Sequence, residues 1–448
     1  MSLRSPAAQR VLITGAAGFL GQALVRTLCT QNTLQSLIAV DVRLLPEDIA
    51  HPSLIRVQQD VRDPDLAQTL AKHSIDTVVH LASIVTPGKD SNRALEYSVD
   101  VGGTRNVLQA CVQEGVAHIV VSSSGAAYGY HADNPAWLTE SHPLRGNESF
   151  AYSHHKRLVE EMLADFRQTH PQLQQTVLRI GTILGERVDN QITALFEKPR
   201  LLAIAGSDSP FVFIWDEDVT GATLHALSGQ APSGCYNLAG DGALTIFEIA
   251  QRLNKRTRVL PAWLLKTALW LGSRLGLSRY GPEQLDFLRY RPVLLNTALK
   301  TRFGYTPAKT SAQAFDALIA AQLKLISPIR AIAQVVQTGT AGYRKLVTSG
   351  GSASGWVSEV AARPETTTPK FNEIAPPMGE LYANPAASQA MLDDAQFDLE
   401  GWLANEIAME FARAEGAAFV NGSGTNQPKG FLGAPTSTAA IHQRVPHG

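Results

Sequence analysis

Tyr152 and Lys156 stand four residues apart in the run AYSHHKRLVEEML. On a helix that spacing projects both side chains from one face. An ammonium beside a phenol favours the phenolate and lowers its pKa, which makes tyrosine an acid/base group near neutral pH. Such a pair is common on solvated helices, so it needs partners before it means chemistry. Ser122-Ser123-Ser124 ends an apolar run, with Ser124 lying 28 residues before Tyr152. Ligands of open parallel sheets bind beyond the carboxyl ends of the strands, so Ser124 is placed to donate to a substrate oxygen beside the phenol. The alternative role of these serines is to cap the following helix.

A third element is Gly15-Ala16-Ala17-Gly18-Phe19-Leu20-Gly21, directly after an apolar run and opening a helical pattern. Glycine lets the backbone turn tightly and approach a pyrophosphate, whose charge the helix N-terminus then meets. Asp41 ends the next apolar run, 20 residues beyond Gly21. A carboxylate there accepts from ribose hydroxyls and repels a 2′-phosphate, which favours NAD over NADP, although Arg43 nearby weakens that preference.

These residues need a sheet to hold them. The runs Val11 to Gly15, Leu37 to Asp41, Thr77 to Ala82, His118 to Ser124 and Thr176 to Ile180 are continuous and rich in Val, Ile and Leu. That is the pattern of parallel strands covered on both faces. Amphipathic stretches such as Ala94 to Glu114 and Tyr152 to Thr169 separate them, which predicts an α/β fold, a doubly wound parallel Rossmann sheet over residues 8–180. Residues 181–325 hold one more strand-like run, Cys235 to Ala239. Helical stretches surround it at Thr245 to Leu253, Trp263 to Leu275 and Pro282 to Tyr290. They suit a small substrate domain woven into the end of the sheet.

Composition narrows the function. With 448 residues, 44% hydrophobic and 18% charged, the chain has material for two or three packed domains. Thirty-nine Lys and Arg against 40 Asp and Glu give a net charge of −1, no footprint for nucleic acid or an anionic membrane. Cys29, Cys111 and Cys235 are far apart, and the twelve histidines show no ligand spacing, so neither a disulfide scaffold nor a metal site is expected. Glycines interrupt the run Val11 to Val25, and Lys266 and Arg274 interrupt Val259 to Leu277, so no leader and no transmembrane span is expected. The expected location is the cytoplasm.

After Ile326 the character changes. The remaining residues carry 8 Lys and Arg against 11 Asp and Glu, and Thr338 to Pro385 is polar and turn-rich. Leu399, Leu403, Ile407 and Phe411 then repeat every four residues, predicting a helix that Asn421-Gly422 ends.

Taken together, residues 8–320 closely resemble the extended short-chain dehydrogenase/reductase family, the NAD-dependent epimerases and dehydratases. The resemblance rests on TGAAGFLG, DVRD at Asp60 to Asp63, HLAS at His80 to Ser83, SSSGAAYG, YSHHK, LRIGTILG, FIWDEDV and YNLAG. It implies that Gly15, Gly18, Phe19, Leu20 and Gly21 cradle the cofactor phosphates and that Asp60 and Val61 flank the adenine. Leu81, Ala82 and Ser83 would line the cofactor, with Tyr152 and Lys156 touching it and Lys156 holding the nicotinamide ribose. It allows a homodimer through the dehydrogenase region and implies a small-molecule substrate. The family usually has Asn where this chain has Asp100, which bears on the bridge to the active-site lysine. Val259 to Leu277 resembles the sterol-type branch, which implies a substrate domain that meets a greasy ligand or a membrane surface, yet a packed subdomain helix is the expected state.

The tail, about Ser327 to Leu432, resembles a tailed-bacteriophage major capsid protein. That implies an N-terminal arm and extended loop over Val336 to Pro385 and a spine helix over Asp394 to Asn421, a fragment from which capsid-subunit contacts are not expected. The reading is thus a nearly complete oxidoreductase, acting on a nucleotide sugar or sterol-like substrate, joined near residue 325 to a truncated capsid segment at 327–448. One competing reading is a structural capsid fragment with a passenger dehydrogenase. Another is a cofactor-binding protein without turnover. The first reading predicts that a chain ending at Ser327 melts within a few degrees of the full chain by calorimetry and binds NAD as well. A large fall in melting temperature would make the tail an integral domain.

Overall fold

The computed structural model describes residues 7–31, 34–85, 92–186, 188, 191–208, 210–274, 284–326, 329, 332–333, 336, 344–349, 370–375, 379, 381 and 399–433. The chain divides into two compact units, Met1–Ile319 and Ala320–Gly448.

In the first unit the described residues build a seven-stranded parallel sheet. Its strands are β1 (Arg10–Thr14), β2 (Ser36–Asp41), β3 (Leu54–Gln58), β4 (Thr77–His80), β5 (His118–Ser124), β6 (Gln174–Ile180) and, later in the chain, β10 (Gly234–Leu238). The spatial order is β10-β6-β5-β4-β1-β2-β3. Strand order therefore reverses between β1 and β4, where open α/β sheets leave a crevice. Successive β1 residues serve opposite layers: Val11 and Ile13 pack into one core, Leu12 into the other. This two-sided burial explains the unbroken apolar runs. The edge strand β3 was not legible, because Arg56 and Gln58 interrupt its apolar residues and most of the strand faces solvent.

Residues 181–325 hold more strands than the one expected. β7 (Thr182–Leu184) pairs with β9 (Phe213–Trp215), and β8 (Arg200–Ile204) pairs with β11 (Arg256–Leu260). β7 is three residues long and β11 begins RTR, so neither shows an apolar run of strand length, whereas Leu201 to Ala205 and Phe211 to Trp215 are the apolar signal of β8 and β9. Helices α1 (Phe19–Gln31), α2 (Leu66–Lys72), α3 (Arg93–Tyr97), α4 (Thr104–Gln113), α5 (Ala151–Thr169), α6 (Gln191–Glu197) and α7 (Asp216–Leu227) follow in chain order. The single helix expected over Ala94 to Glu114 is α3 and α4 joined by a π-helical turn, Ser98–Gly103. α8 (Ile246–Arg252) starts at a capping box between Thr245 and Glu248. α9 (Ala262–Arg274) and α10 (Gln284–Arg289) follow. α11 (Ser311–Ile326) places Ala314, Phe315 and Leu318 in a core with Phe211 and Phe213.

A buried polar network sets the position of α5. Arg179 of β6 forks onto Glu160 of α5, with Nη2 2.7 Å and Nε 2.9 Å from Oε2. Ser123 donates its hydroxyl to Glu160 Oε1, and Arg179 Nη1 donates to the Tyr128 hydroxyl. Tyr128 donates to Asn237 of β10 at 2.8 Å. Burial opposes the Arg179 charge, but Glu160 more than offsets this and holds its pKa above the usual guanidinium value.

In the second unit, β12 (Lys345–Ser349) pairs antiparallel with β13 (Lys370–Ile374) inside the stretch expected to be a turn-rich loop. The rest of Val336 to Pro385 lies largely outside the described residues, as does the start of the expected spine helix. That helix, α12, is described over Leu399–Asn421 and ends where expected. A Cβ at Gly422 would collide with the carbonyls of Ala418 and Pro428.

The network predicts a mutational cost. Glu160→Gln leaves a buried guanidinium without its counter-charge and should lower unfolding free energy by about 3–5 kcal/mol in urea denaturation. Glu160→Gln combined with Arg179→Met should recover part of that loss. A single variant within about 1 kcal/mol of the parent would contradict the role given to this pair.

Candidate active site

β1 ends at Thr14, and Gly15 turns the chain with φ +71°. A Cβ on Gly15 would lie 2.7 Å from the Ala82 nitrogen, and one on Gly21 would collide with the Gly15 carbonyl. Both positions therefore need glycine, one for the approach of the β4 loop and the other for the crossing of α1 over β1. Below the loop, Thr14 Oγ1 meets His80 Nδ1 at 2.8 Å, and His80 Nε2 meets Thr104 Oγ1 at 3.0 Å. Burial, with Lys156 nearby, pushes the His80 pKa down to about 3, so this ring stays neutral.

The Asp41 carboxylate lies against the same loop. It accepts from the Ala17 N–H and the Arg43 N–H, each at 3.0 Å, while the Arg43 side chain is largely exposed. Asp60 sits beyond the end of β3, where Arg62 grips its carboxylate from Nε and Nη2 and holds its pKa below the ordinary value. Val61 is buried against Gly103.

At the crevice lies a cleft of about 540 Å³. Gly15, Gly18, Phe19, Leu20, Gly21, Leu81, Ser83, Ser124, Tyr152 and Lys156 all line it. Residues from four separate stretches of sequence thus line one cleft. Asp41, Asp60, Val61 and Ala82 are not on its wall, but Asp41 and Ala82 touch the glycine loop directly.

α5 brings Tyr152 half-buried to the cleft and buries Lys156 beside it. Lys156 Nζ is 5.6 Å from the Tyr152 ring centre and donates to the Ser122 carbonyl at 3.1 Å. Ser124 both lines the cleft and caps the short helix Gly125–Tyr128, accepting from Ala126 N–H at 3.2 Å. Capping uses an oxygen lone pair, so its hydroxyl proton stays available to a ligand.

Asp100, in the π-helical turn, does not bond to Lys156. Its Oδ1 accepts from the Ser83 hydroxyl and the Ile84 N–H, and Oδ2 lies 3.1 Å from His155 Nδ1. Burial raises its pKa, but the His155 bond, Lys156, Ile84 and Ser83 outweigh burial and hold the carboxyl below its ordinary value. An ionised carboxylate only accepts, so His155 Nδ1 carries the proton.

The far wall was not foreseen. Tyr130, Phe150 and Phe287 form an aromatic cluster with ring centres 5.1–5.6 Å apart, Tyr130 meeting both phenylalanines edge-on. Val188, Ile192, Pro210, Val212 and Leu294 extend the apolar surface. Arg291 lines the same wall, its guanidinium 3.8 Å from the Phe211 ring centre, and burial pushes its pKa down to about 9. No spacing in the sequence links these residues, because β9, α10 and the loop after it come together only in the fold.

Comparison with known proteins places the chain. Residues 11–239 match the NAD dependent epimerase/dehydratase family, and residues 308–445 match the phage capsid family. The second match starts just ahead of α11, whose Ala314, Phe315 and Leu318 belong to a core of the first unit. An uncharacterized protein of Mycobacterium tuberculosis is 26% identical over 313 residues, covering 68% of this chain and 82% of its own. The N-acetyl-alpha-D-glucosaminyl-diphospho-ditrans,octacis-undecaprenol 4-epimerase of Escherichia coli O157:H7 is 36% identical over 182 residues, 40% of this chain and 50% of its own. The UDP-glucose 4-epimerase of Thermus thermophilus, solved with NAD, has a similar fold, with a TM-score of 0.52 and 23% identity over 69% of this chain and 99% of its own. With more than half its length matched, the chain belongs to the NAD-dependent epimerase/dehydratase family and is an NAD-dependent enzyme of that type.

Proposed function

We propose that the cleft interconverts a secondary alcohol and the corresponding ketone at one carbon of a sugar carried on a diphosphate, with a nucleotide sugar as the first candidate. The observation that carries this is the meeting of Ser124, Tyr152 and Lys156 with the glycine loop around one cleft. NAD, when bound, supplies the acceptor or donor of the hydride. Gly15, Gly18, Phe19, Leu20 and Gly21 would hold its pyrophosphate at the N-terminus of α1, where N–H groups lack intrahelical partners. Asp41 would accept from the adenosine ribose, Asp60 and Val61 would flank the adenine, and Leu81, Ala82 and Ser83 would line the nicotinamide half.

Tyr152 takes the proton of the substrate hydroxyl as the carbon loses its hydride, and returns it in the reverse step. Lys156, beside Tyr152, binds the nicotinamide ribose. Ser124 donates to the reacting oxygen. Residues 8–180 carry the cofactor, and residues 181–325 the substrate.

Two features support a diphosphate-borne sugar. Arg291 puts a cation on the substrate wall, suited to a diphosphate oxygen. One relative acts on a sugar diphosphate. A sterol-like alcohol is a second reading, favoured by the apolar and aromatic remainder of that wall.

Tyr152→Phe should cut turnover by about 10²–10⁴-fold while leaving NAD affinity nearly unchanged, because only the proton-transfer group is lost. Lys156→Ala should weaken both. Calorimetric titration should give tighter binding of NAD than NADP, and UDP should bind in competition with the substrate. Near-parental turnover by Tyr152→Phe would remove the acid/base assignment. Binding of a sterol but not of UDP would select the second reading.

A further inference from the structure

The net charge of −1 conceals a one-sided segment. From Ile249 to Pro282 the sequence carries seven cations, Arg252, Lys255, Arg256, Arg258, Lys266, Arg274 and Arg279, and no Asp or Glu. α9 lies in its middle and is not the packed subdomain helix expected from its composition. Trp263, Leu264, Trp270 and Leu271 are 70, 42, 47 and 50% exposed. They form two pairs seven residues apart, so all four share one outward side of the helix. Leu265 and Leu269, on the other side, are half-buried. Lys266 and Arg274 are exposed on the same helix, and Arg274 stacks 5.2 Å from the Trp270 ring centre. Arg256, Arg258 and Val259 on β11 add exposed cations and apolar surface.

Exposed tryptophan and leucine on one helix face, bordered by cations, is the composition of a helix lying in a lipid interface. Among the described residues no helix is long and apolar enough to cross a membrane, and α9 spans only about 20 Å at 1.5 Å per residue. A second copy is a poor occupant, because a two-fold contact would bring two cationic faces together.

We propose that α9 docks on the surface of an anionic bilayer. Trp263, Leu264, Trp270 and Leu271 enter the headgroup–acyl boundary, and Arg256, Arg258, Lys266 and Arg274 meet the anionic headgroups. α9 packs against α10, which carries Phe287 into the cleft wall, so docking brings that apolar wall near the lipid. The inference does not depend on the catalytic reading and is tested without turnover.

The full chain is floated with vesicles of phosphatidylcholine alone and with vesicles containing about one-third phosphatidylglycerol. It should rise with the anionic vesicles, release at high salt, and show tryptophan emission quenched by brominated acyl chains. Trp263→Ser/Trp270→Ser should lose at least about tenfold in vesicle affinity, and each of Lys266→Glu and Arg274→Glu about fivefold or more. Unchanged melting curves of these surface variants would show that folding is intact, and the quenching needs no variant. Failure of the parent chain to float, or equal flotation of the double tryptophan variant, would overturn the proposal. So would a dimer in sedimentation velocity that becomes monomeric in that variant, which would give the face to a second copy.

Discussion

Glu160 and Arg179 are buried together between α5 and β6, where each must satisfy its charge and its hydrogen bonds inside the protein. The partners come from Ser123 on β5, Tyr128 in the turn after it, and through Tyr128 from Asn237 on β10. Glu160, Lys156 and Tyr152 follow one another at four-residue intervals on α5. Fixing the rotation of that helix at Glu160 therefore fixes which way Lys156 and Tyr152 face. Ser123 points into the network, so its neighbour Ser124 is turned the other way, to the cleft. One ion pair thus positions the cleft side chains borne on α5 and at the end of β5.

The opposite side rests on backbone approach. The reversal of strand order between β1 and β4 opens the crevice, and Gly15 and Gly21 let the chain turn without blocking it. Asp41 braces this loop through the Ala17 N–H, and His80 links β1 to α4 beneath it. Asp100 extends the scaffold by tying Ser83 and Ile84 to His155 of α5. The departure from the family's usual Asn therefore builds an inner brace. Lys156 lies close enough to help hold the Asp100 carboxyl below its ordinary pKa.

The central strands and the cleft residues borne on them were legible because parallel strands buried on both faces leave unbroken apolar runs. Tyr152, Lys156 and Ser124 could be read because helix and strand periodicity fix where such side chains project. Strands β3, β7 and β11 were not legible, since an exposed or three-residue strand leaves little hydrophobic signal, whereas β8 and β9 do carry one in the apolar runs Leu201 to Ala205 and Phe211 to Trp215. Arg291 and Phe287 escaped because their place on the wall is a product of tertiary packing. Composition misled for α9, where a balanced total charge hides a local cationic surface and an apolar helix suggests a core it does not join.

The central claim is that one cleft holds NAD along the glycine loop and presents its reactive end to Tyr152. A crystal structure of the full chain with NAD tests this most directly. The account predicts the pyrophosphate over Gly15 to Gly21, the adenosine ribose on Asp41, and the nicotinamide ribose within hydrogen-bond reach of Lys156 beside Tyr152. A dinucleotide bound elsewhere, or one whose nicotinamide points away from Tyr152 and Ser124, would contradict it.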